Sequence, residues 1–409
     1  MQNRFTRAVS VLAGLVLAGS GLAVVNAAPA AASVEDCPRG YFCGWSGKDV
    51  NGTMWKTNKN VADLGGWAGD IHSYVNRTNA VACFYGERDY DRTSHLWSVE
   101  PADADGYPYY GDMSTVIRSI KFVQDAHECN VPDHPAWAAS PQSASLGFGD
   151  MDGDGRADII SRDRAGRLWF TSGDGTGRII GTGGWNGINA LTRHGDFSRD
   201  GHEDVIAREA STGKLWLYPG TGTGAVGSRK LIGTGGWNGM RDITAFGDLT
   251  GDGRSDLIAT EKSTGKLYLY PGTAGGALGS RKLIGTGGWN TINALVGMGD
   301  TNGDGHPDLY AREASTGKLW LYPGTAGGAL GSRTLIGTGG WNALGHLFAV
   351  GDFNGSDAPD LVAVTNKSYV IDGWSGNPGW QLAYLGRGDG RIDAARRVTD
   401  GWWGFTDFC

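Results

Sequence analysis

Short apolar runs separated by turns rich in glycine or aspartate fill residues 145–409. The runs are apolar on both sides of an extended chain, as in Leu319-Trp320-Leu321-Tyr322, and no stretch has helical periodicity. The pattern repeats. A LIGTGGWN-like segment places Trp185, Trp237, Trp289 and Trp341 at a constant spacing of 52 residues, and acidic turns start at Asp196, Asp248, Asp300 and Asp352 with the same spacing, and once more at Asp150. Each copy reads as four strands, which the fourth copy places near 295–298, 308–311, 318–322 and 334–337. Sheets buried on both faces and repeated five times predict a five-bladed β-propeller; a β-solenoid, the rival, favours shorter periods.

The first 145 residues have other patterns. An apolar run from Ala8 to Val25 follows Arg4 and Arg7 and ends in small residues, so 1–32 reads as a secretory signal. Residues 33–125 contain two aromatic-rich strand openings, CPRGYFCGWSG and VACFYGERDYDR. Apolar strands follow the turns at Asp70-Ile71-His72-Ser73 and Asp112-Met113-Ser114-Thr115. The expected order is the signal, a small domain at 33–125, a linker at 126–144 and the propeller at 145–409. The whole is all-β.

Composition adds three points. Seventy glycines accompany sixteen tryptophans, which fits turns between strands better than a low-complexity linker. Loss of Arg4 and Arg7 with the signal takes the net charge from −7 to −9, and most of that charge sits in the repeated loops. No basic patch argues for nucleic acid, and no later segment is apolar enough to cross a membrane. Five cysteines in an exported chain predict two disulfides and one odd thiol. Cys37 and Cys43 pair across a short turn. Cys83, Cys129 and Cys409 compete for a second bond. Cys129–Cys409 would lock the ends of the ring and is the favoured expectation, whereas Cys83–Cys129 would tie the first domain internally.

The acidic loops carry the clearest chemistry. Positions 1, 3, 5 and 9 are Asp150, Asp152, Asp154 and Asp158 in the first copy and Asp196, Ser198, Asp200 and Asp204 in the second. The third has Asp248, Thr250, Asp252 and Asp256, and the fourth Asp300, Asn302, Asp304 and Asp308. The fifth has Asp352, Asn354, Ser356 and Asp360, with Asp357 where the others have glycine at position 6. Alternate oxygen side chains on a tight turn suit calcium, which takes six to eight hard oxygen ligands. An EF-hand would need Glu at position 12, and none is there. A turn held by Asx hydrogen bonds alone is the plainer alternative.

These loops resemble the FG-GAP repeats of integrin α-subunit propellers and related bacterial extracellular proteins, which implies calcium once per blade. The LIGTGGWN segments also resemble tachylectin, a propeller lectin for N-acetylated amino sugars. Residues 37–123 resemble a βγ-crystallin double Greek key, most closely the secreted actinobacterial metalloproteinase inhibitors, and depart at Asp91, where the second motif calls for glycine. In this domain Gly69 and Gly111 stand where the family's calcium sites carry Asn or Asp.

No nucleophile elbow, Walker loop or zinc spacing is present, so a binding protein is expected, not an enzyme. Trp185-Asn186, Trp237-Asn238, Trp289-Asn290 and Trp341-Asn342 could stack a sugar and hydrogen-bond its substituents, or pack blades and cap turns. Two readings remain: a secreted, monomeric binder of glycans or cell-surface polysaccharide, and an extracellular metalloprotease inhibitor with the propeller as a targeting module.

Overall fold

The computed structural model describes residues 33–409 apart from 92–93, 102–114, 125, 127–128, 130–134, 136, 143–145, 372, 374–375 and 377. The expected signal and the turn at Asp112-Met113-Ser114 lie outside the described residues. Within them the chain forms antiparallel β-sheets and short 3-10 turns, with no α-helix.

The first domain is two three-stranded sheets. Strands β1 (Phe42–Trp45), β2 (Met54–Thr57) and β3 (Ser73–Asn76) pair in the order β2-β1-β3. Strands β4 (Val81–Tyr85), β5 (His95–Val99) and β6 (Ser119–Val123) pair as β5-β4-β6. Val61, between β2 and β3, exchanges backbone bonds of 2.8 and 2.9 Å with Ile120 on β6, so the first half lends a segment to the second sheet. Each half folds back its first hairpin onto a serine. Ser73 Oγ accepts from Val50 N–H and donates to the Gly47 carbonyl, and Ser119 Oγ does the same with Tyr90 and Glu87. Asp89 and Tyr90 take left-handed backbone as Asp49 and Val50 do, so the second turn forms despite Asp91. Phe42, Tyr74 and Phe84 pack edge to face or stacked at 5.4–6.0 Å between the sheets.

The cysteine expectation was half right. Cys37–Cys43 forms, but Cys129 bonds Cys83 and Cys409 is a free, buried thiol. The reason is local: Cys129 follows β6, which pairs with β4 at Cys83, whereas Cys409 packs among Met151, Ile160 and Ile188. The ends of the repeat region meet through backbone instead. The last strand, Phe405–Phe408, pairs with Ile159–Asp163 and becomes the innermost strand of the first sheet.

Five four-stranded antiparallel sheets result. The antiparallel order excludes a solenoid, and the fourth sheet closely matches the sequence expectation, at Ile292–Gly299, Asp308–Glu313, Leu319–Tyr322 and Thr334–Gly337. The third strands of the second, third and fourth blades alternate buried leucine with half-buried aromatic, as in Leu319-Trp320-Leu321-Tyr322, because each face meets a neighbouring blade. Apolar clusters fill each junction between successive sheets, and a fifth joins Val350 and Val362 of the last to Ile159 and Trp169 of the first. The innermost strands touch in the same cyclic order.

Arginines fasten three of these junctions. Arg208 donates to the carbonyls of Trp237 and Met240 at 2.9 and 2.7 Å, and Arg312 to those of Trp341 and Leu344. Arg162 plays the same part toward Trp185 and Ile188. In the third blade the equivalent residue is Thr260, and Arg241 on the preceding strand reaches Asn290 and Ile292 instead.

Part of the expected linker belongs to the ring. In the later blades the long loop after the third strand crosses onto the preceding blade, as where Gly224 N–H donates to the Met151 carbonyl and Gly390 N–H to that of Thr301. The first blade has only a short Asp174-Gly175-Thr176 turn there. Residues 137–142 take the place of the missing loop: Ser140 N–H donates to the Phe353 carbonyl at 2.9 Å, and Trp137 packs on Phe353 and bonds the Ala157 carbonyl.

Candidate metal loops and blade-junction grooves

The five acidic loops share one backbone. Residues 4 and 6 of each are left-handed, at Gly153 and Gly155 in the first and Gly355 and Asp357 in the fifth. Asp357 therefore adopts the conformation that glycine takes elsewhere, and its N–H still reaches Asp352 Oδ2 at 2.8 Å. The first aspartate collects the turn's N–H groups, as Asp150 does from Gly153 and Gly155 and Asp300 from Gly303 and Gly305. The ninth is fully buried in every copy. One of its oxygens accepts from the start of the loop and the other from a glycine after the third strand, as Asp158 does from Met151 and Gly173.

Oxygens of Asp150, Asp152 and Asp158 converge within 4.8 Å of one another, as do those of Asp196, Asp200 and Asp204. Ser198 Oγ lies 3.4 Å from both Asp196 and Asp204 in the second cluster. Burial pushes the Asp158 carboxyl up to about 8, and the charge of Asp152 adds to the effect. Asp204 and Asp360 are raised to about 6, and Asp256 and Asp308 upward, again chiefly by burial. Buried carboxylates crowded by like charges suit a hard cation, which would favour their ionised forms. The donors are all oxygen, which fits calcium and not a metal that prefers sulfur or imidazole. Asp154, the fifth-position residue of the first loop, is not in that cluster and lies 4.0 Å from Arg156.

Sequence reading missed a buried ion pair between the first two loops. Glu203 accepts from Gly149 N–H at 2.8 Å and pairs with Arg193, which donates to the Asp158 carbonyl. The only sequence signal was Glu203 at loop position 8, where the other copies have Ala157, Ser255, Pro307 and Pro359.

The four Trp-Asn pairs stand at blade junctions, but not as open platforms. The indoles of Trp185, Trp237, Trp289 and Trp341 are only 8–9 % exposed and lie 4.5–4.9 Å from Tyr218, Tyr270, Tyr322 and Tyr384 of the next blade. Each indole N–H edge abuts a glycine of the same blade: a Cβ on Gly285 would come within 2.0 Å of Trp289 Nε1. Asn186, Asn238 and Asn342 donate their amides to the carbonyls of Arg164, Ala210 and Ala314, which caps turns, and Asn290 packs on Gly265. The plainer alternative accounts for most of these groups.

Beside two of these tryptophans the surface opens into grooves. One, of about 580 Å³, is lined by the Gly287-Gly288 turn, Trp289, Glu313, Tyr322 and Arg333. Another, of about 420 Å³, is lined by the matching Gly183-Gly184 turn, Trp185, Glu209, Tyr218 and Arg229. Tyrosine, glutamate and arginine all come from the following blade.

The model of peptidase inhibitor family I36 matches residues 30–98, and that of the FG-GAP-like repeat matches 196–259, 248–311 and 300–363. An I36-type module precedes FG-GAP-like repeats. Neither family is catalytic in its description. No curated protein matches the chain. Among solved structures, an Agrocybe aegerita lectin that recognises non-reducing terminal N-acetylglucosamine is 16% identical, over 90% of this chain and 94% of that one, with a TM-score of 0.37. A Photorhabdus luminescens Tc holotoxin pore is 14% identical over 90% of this chain and 20% of that one, with a TM-score of 0.35. The NanB sialidase of Streptococcus pneumoniae is 9% identical over 86% and 84%, with a TM-score of 0.34. At these scores none carries an argument about fold or ligand. No described helix is long and apolar enough to cross a membrane.

Proposed function

We propose that the chain is a secreted, calcium-binding propeller protein that binds glycans at its blade junctions without catalysis. One observation carries the glycan reading: the same groove recurs at two junctions, with a Gly-Gly-Trp turn on one side and glutamate, tyrosine and arginine on the other. Aromatic edges beside a carboxylate and a guanidinium suit a pyranose, whose C–H face packs on the rings while its hydroxyls bond the polar groups. The ligand contacts are thus the groove residues, with Trp185 and Trp289 as walls. Repeated weak sites gain by avidity on a polymer surface.

Calcium in this reading cross-links each loop and offsets its carboxylates. Asp150, Asp152, Asp158, Asp196, Asp200 and Asp204 are the strongest ligand candidates, and the shared backbone extends the assignment to the other three loops. The signal-like leader and two disulfides support export. We take 33–125 as the I36-type domain and 145–409 as the propeller, with residues 137–142 serving the latter.

A glycan array probed with the mature chain tests the claim. Binding should fall on Tyr322→Ala and Glu313→Gln together; an array with no bound glycan sinks it. The I36 match supports a second reading, inhibition of an extracellular metalloprotease by the first domain. Two disulfides and the paired serine locks make that domain rigid, which inhibition by a presented loop requires. Titration of a thermolysin-like protease with the mature chain decides it: unchanged proteolysis at equimolar chain removes the reading.

A further inference from the structure

A neutral sugar does not explain why each groove is edged by an arginine seated over an aromatic ring. We propose that the groove ligand is an acidic polysaccharide, with a uronate carboxylate on the arginine; this rests on the glycan reading above. Arg229 lies 4.0 Å over the Trp216 ring and Arg333 4.0 Å over that of Trp320, and both arginines line their grooves. Among the described residues Arg333 Nη1 reaches only Tyr322 Oη, at 3.5 Å, and the other N–H groups of a guanidinium seated over a ring can meet a planar anion, which a carboxylate matches with two parallel bonds. The third blade differs: Arg281, over Tyr268, is already paired with Glu261 at 3.2 Å. Its junction should therefore contribute less.

The charge distribution agrees. Three outer strands carry an exposed basic pair at their start, Arg229-Lys230, Arg281-Lys282 and Arg396-Arg397, with Arg229 and Arg281 just before the strand, and none of the five outer strands contains an acidic residue. The acidic loops lie elsewhere in each repeat, so the negative net charge does not describe the surface where the grooves open. Glu209 and Glu313 restrict the partner further. Thr212 and Thr316 donate to these carboxylates, and the Thr212 bond holds Glu209 below the usual carboxylate range. Such a group accepts sugar hydroxyls and repels a dense polyanion that offers none. A uronate has both features the groove addresses: ring hydroxyls for glutamate and a carboxylate for arginine.

The test is calorimetry on the mature chain with hexagalacturonate, its full methyl ester and chitohexaose, at 50 and 500 mM NaCl. The acid should bind about tenfold more tightly than the ester at low salt, and the difference should shrink at high salt. Arg229→Gln with Arg333→Gln should abolish the preference for the acid, while Arg229→Lys with Arg333→Lys keeps the charge and should retain part of it. Circular dichroism establishes that each variant is folded, and if the double glutamine variant is not, Arg333→Gln alone should lower the preference. Equal affinity for acid and ester, or for a duplex DNA of matched charge, overturns the proposal and leaves glycan binding standing. Absence of binding to all three oligosaccharides overturns the proposal, while the glycan reading stands or falls on the array.

Discussion

Replacing Arg312 with methionine should loosen the junction between the fourth and fifth blades. Arg312 is 7 % exposed, and its guanidinium serves the Trp341 carbonyl at 2.9 Å, the Leu344 carbonyl and Asn293 Oδ1 at 2.7 Å. Methionine fills much of the volume but donates nothing, so the Leu344 carbonyl loses this donor and the Trp341 carbonyl keeps only the Leu344 N–H. At about 1–3 kcal/mol for the stranded carbonyl and about 1 kcal/mol for the bond lost at the other, the loss is about 2–4 kcal/mol. For a folded unit of this size each kcal/mol lowers Tm by about 2–4 °C, so Tm should fall by roughly 10 °C. The assay is guanidinium and thermal unfolding at fixed calcium, with Arg333→Met as comparison. Arg333 is exposed in the same blade, and its loss should cost no more than about 1 kcal/mol. If Arg312→Met costs under about 1 kcal/mol, or no more than Arg333→Met, the junction is not held as argued.

Cys83→Ser with Cys129→Ser should destabilise the first domain by about 4 kcal/mol, from the 46-residue separation, whereas Cys409→Ser should leave the mobility of the non-reduced chain unchanged. A mobility shift for Cys409→Ser would contradict the assigned pairing. Burial, then the charges of Arg312 and Arg162, holds His346 at about 4 in the folded chain, against about 6.5 when unfolded. The unfolded chain binds the extra proton, so this stability is complete above pH 6.5 and is lost as pH falls toward 4. His346→Gln should flatten the stability profile across that window by up to about 3 kcal/mol; an unchanged profile counts against it. Calcium at one hundred times its dissociation constant should add about 2.7 kcal/mol per site, and Asp158→Asn should remove about one site's share of that gain in a thermal titration. A melting curve indifferent to calcium and chelator would remove the metal assignment.

The repeat made the sheet architecture legible because a 52-residue period and strands apolar on both faces leave few arrangements. The loops were legible for the same reason: alternate oxygen side chains are a local pattern. What stayed hidden depends on distant parts of the chain. Cys129 looked close to Cys409 because the ring ends meet, yet β6 carries it to Cys83 first. The tryptophans could be read as ligand platforms or as blade packing because a sequence does not tell which blade covers an indole; Tyr218 and Tyr322 of the next blade cover those of Trp185 and Trp289. Trp137 read as linker because the loop it replaces is missing from a blade that follows it in sequence. Arg208 and Arg312 directly follow the apolar runs Val205-Ile206-Ala207 and Leu309-Tyr310-Ala311, and a charged residue at a buried position was the available signal.

The most direct measurement is the stoichiometry of oligosaccharide binding to the calcium-loaded mature chain, by calorimetry with the strongest ligand from an array. Grooves repeated at blade junctions predict more than one equivalent per chain, reduced on Glu313→Gln with Tyr322→Ala. A ligand bound once, unaffected by those substitutions, or no ligand at all, would contradict the account.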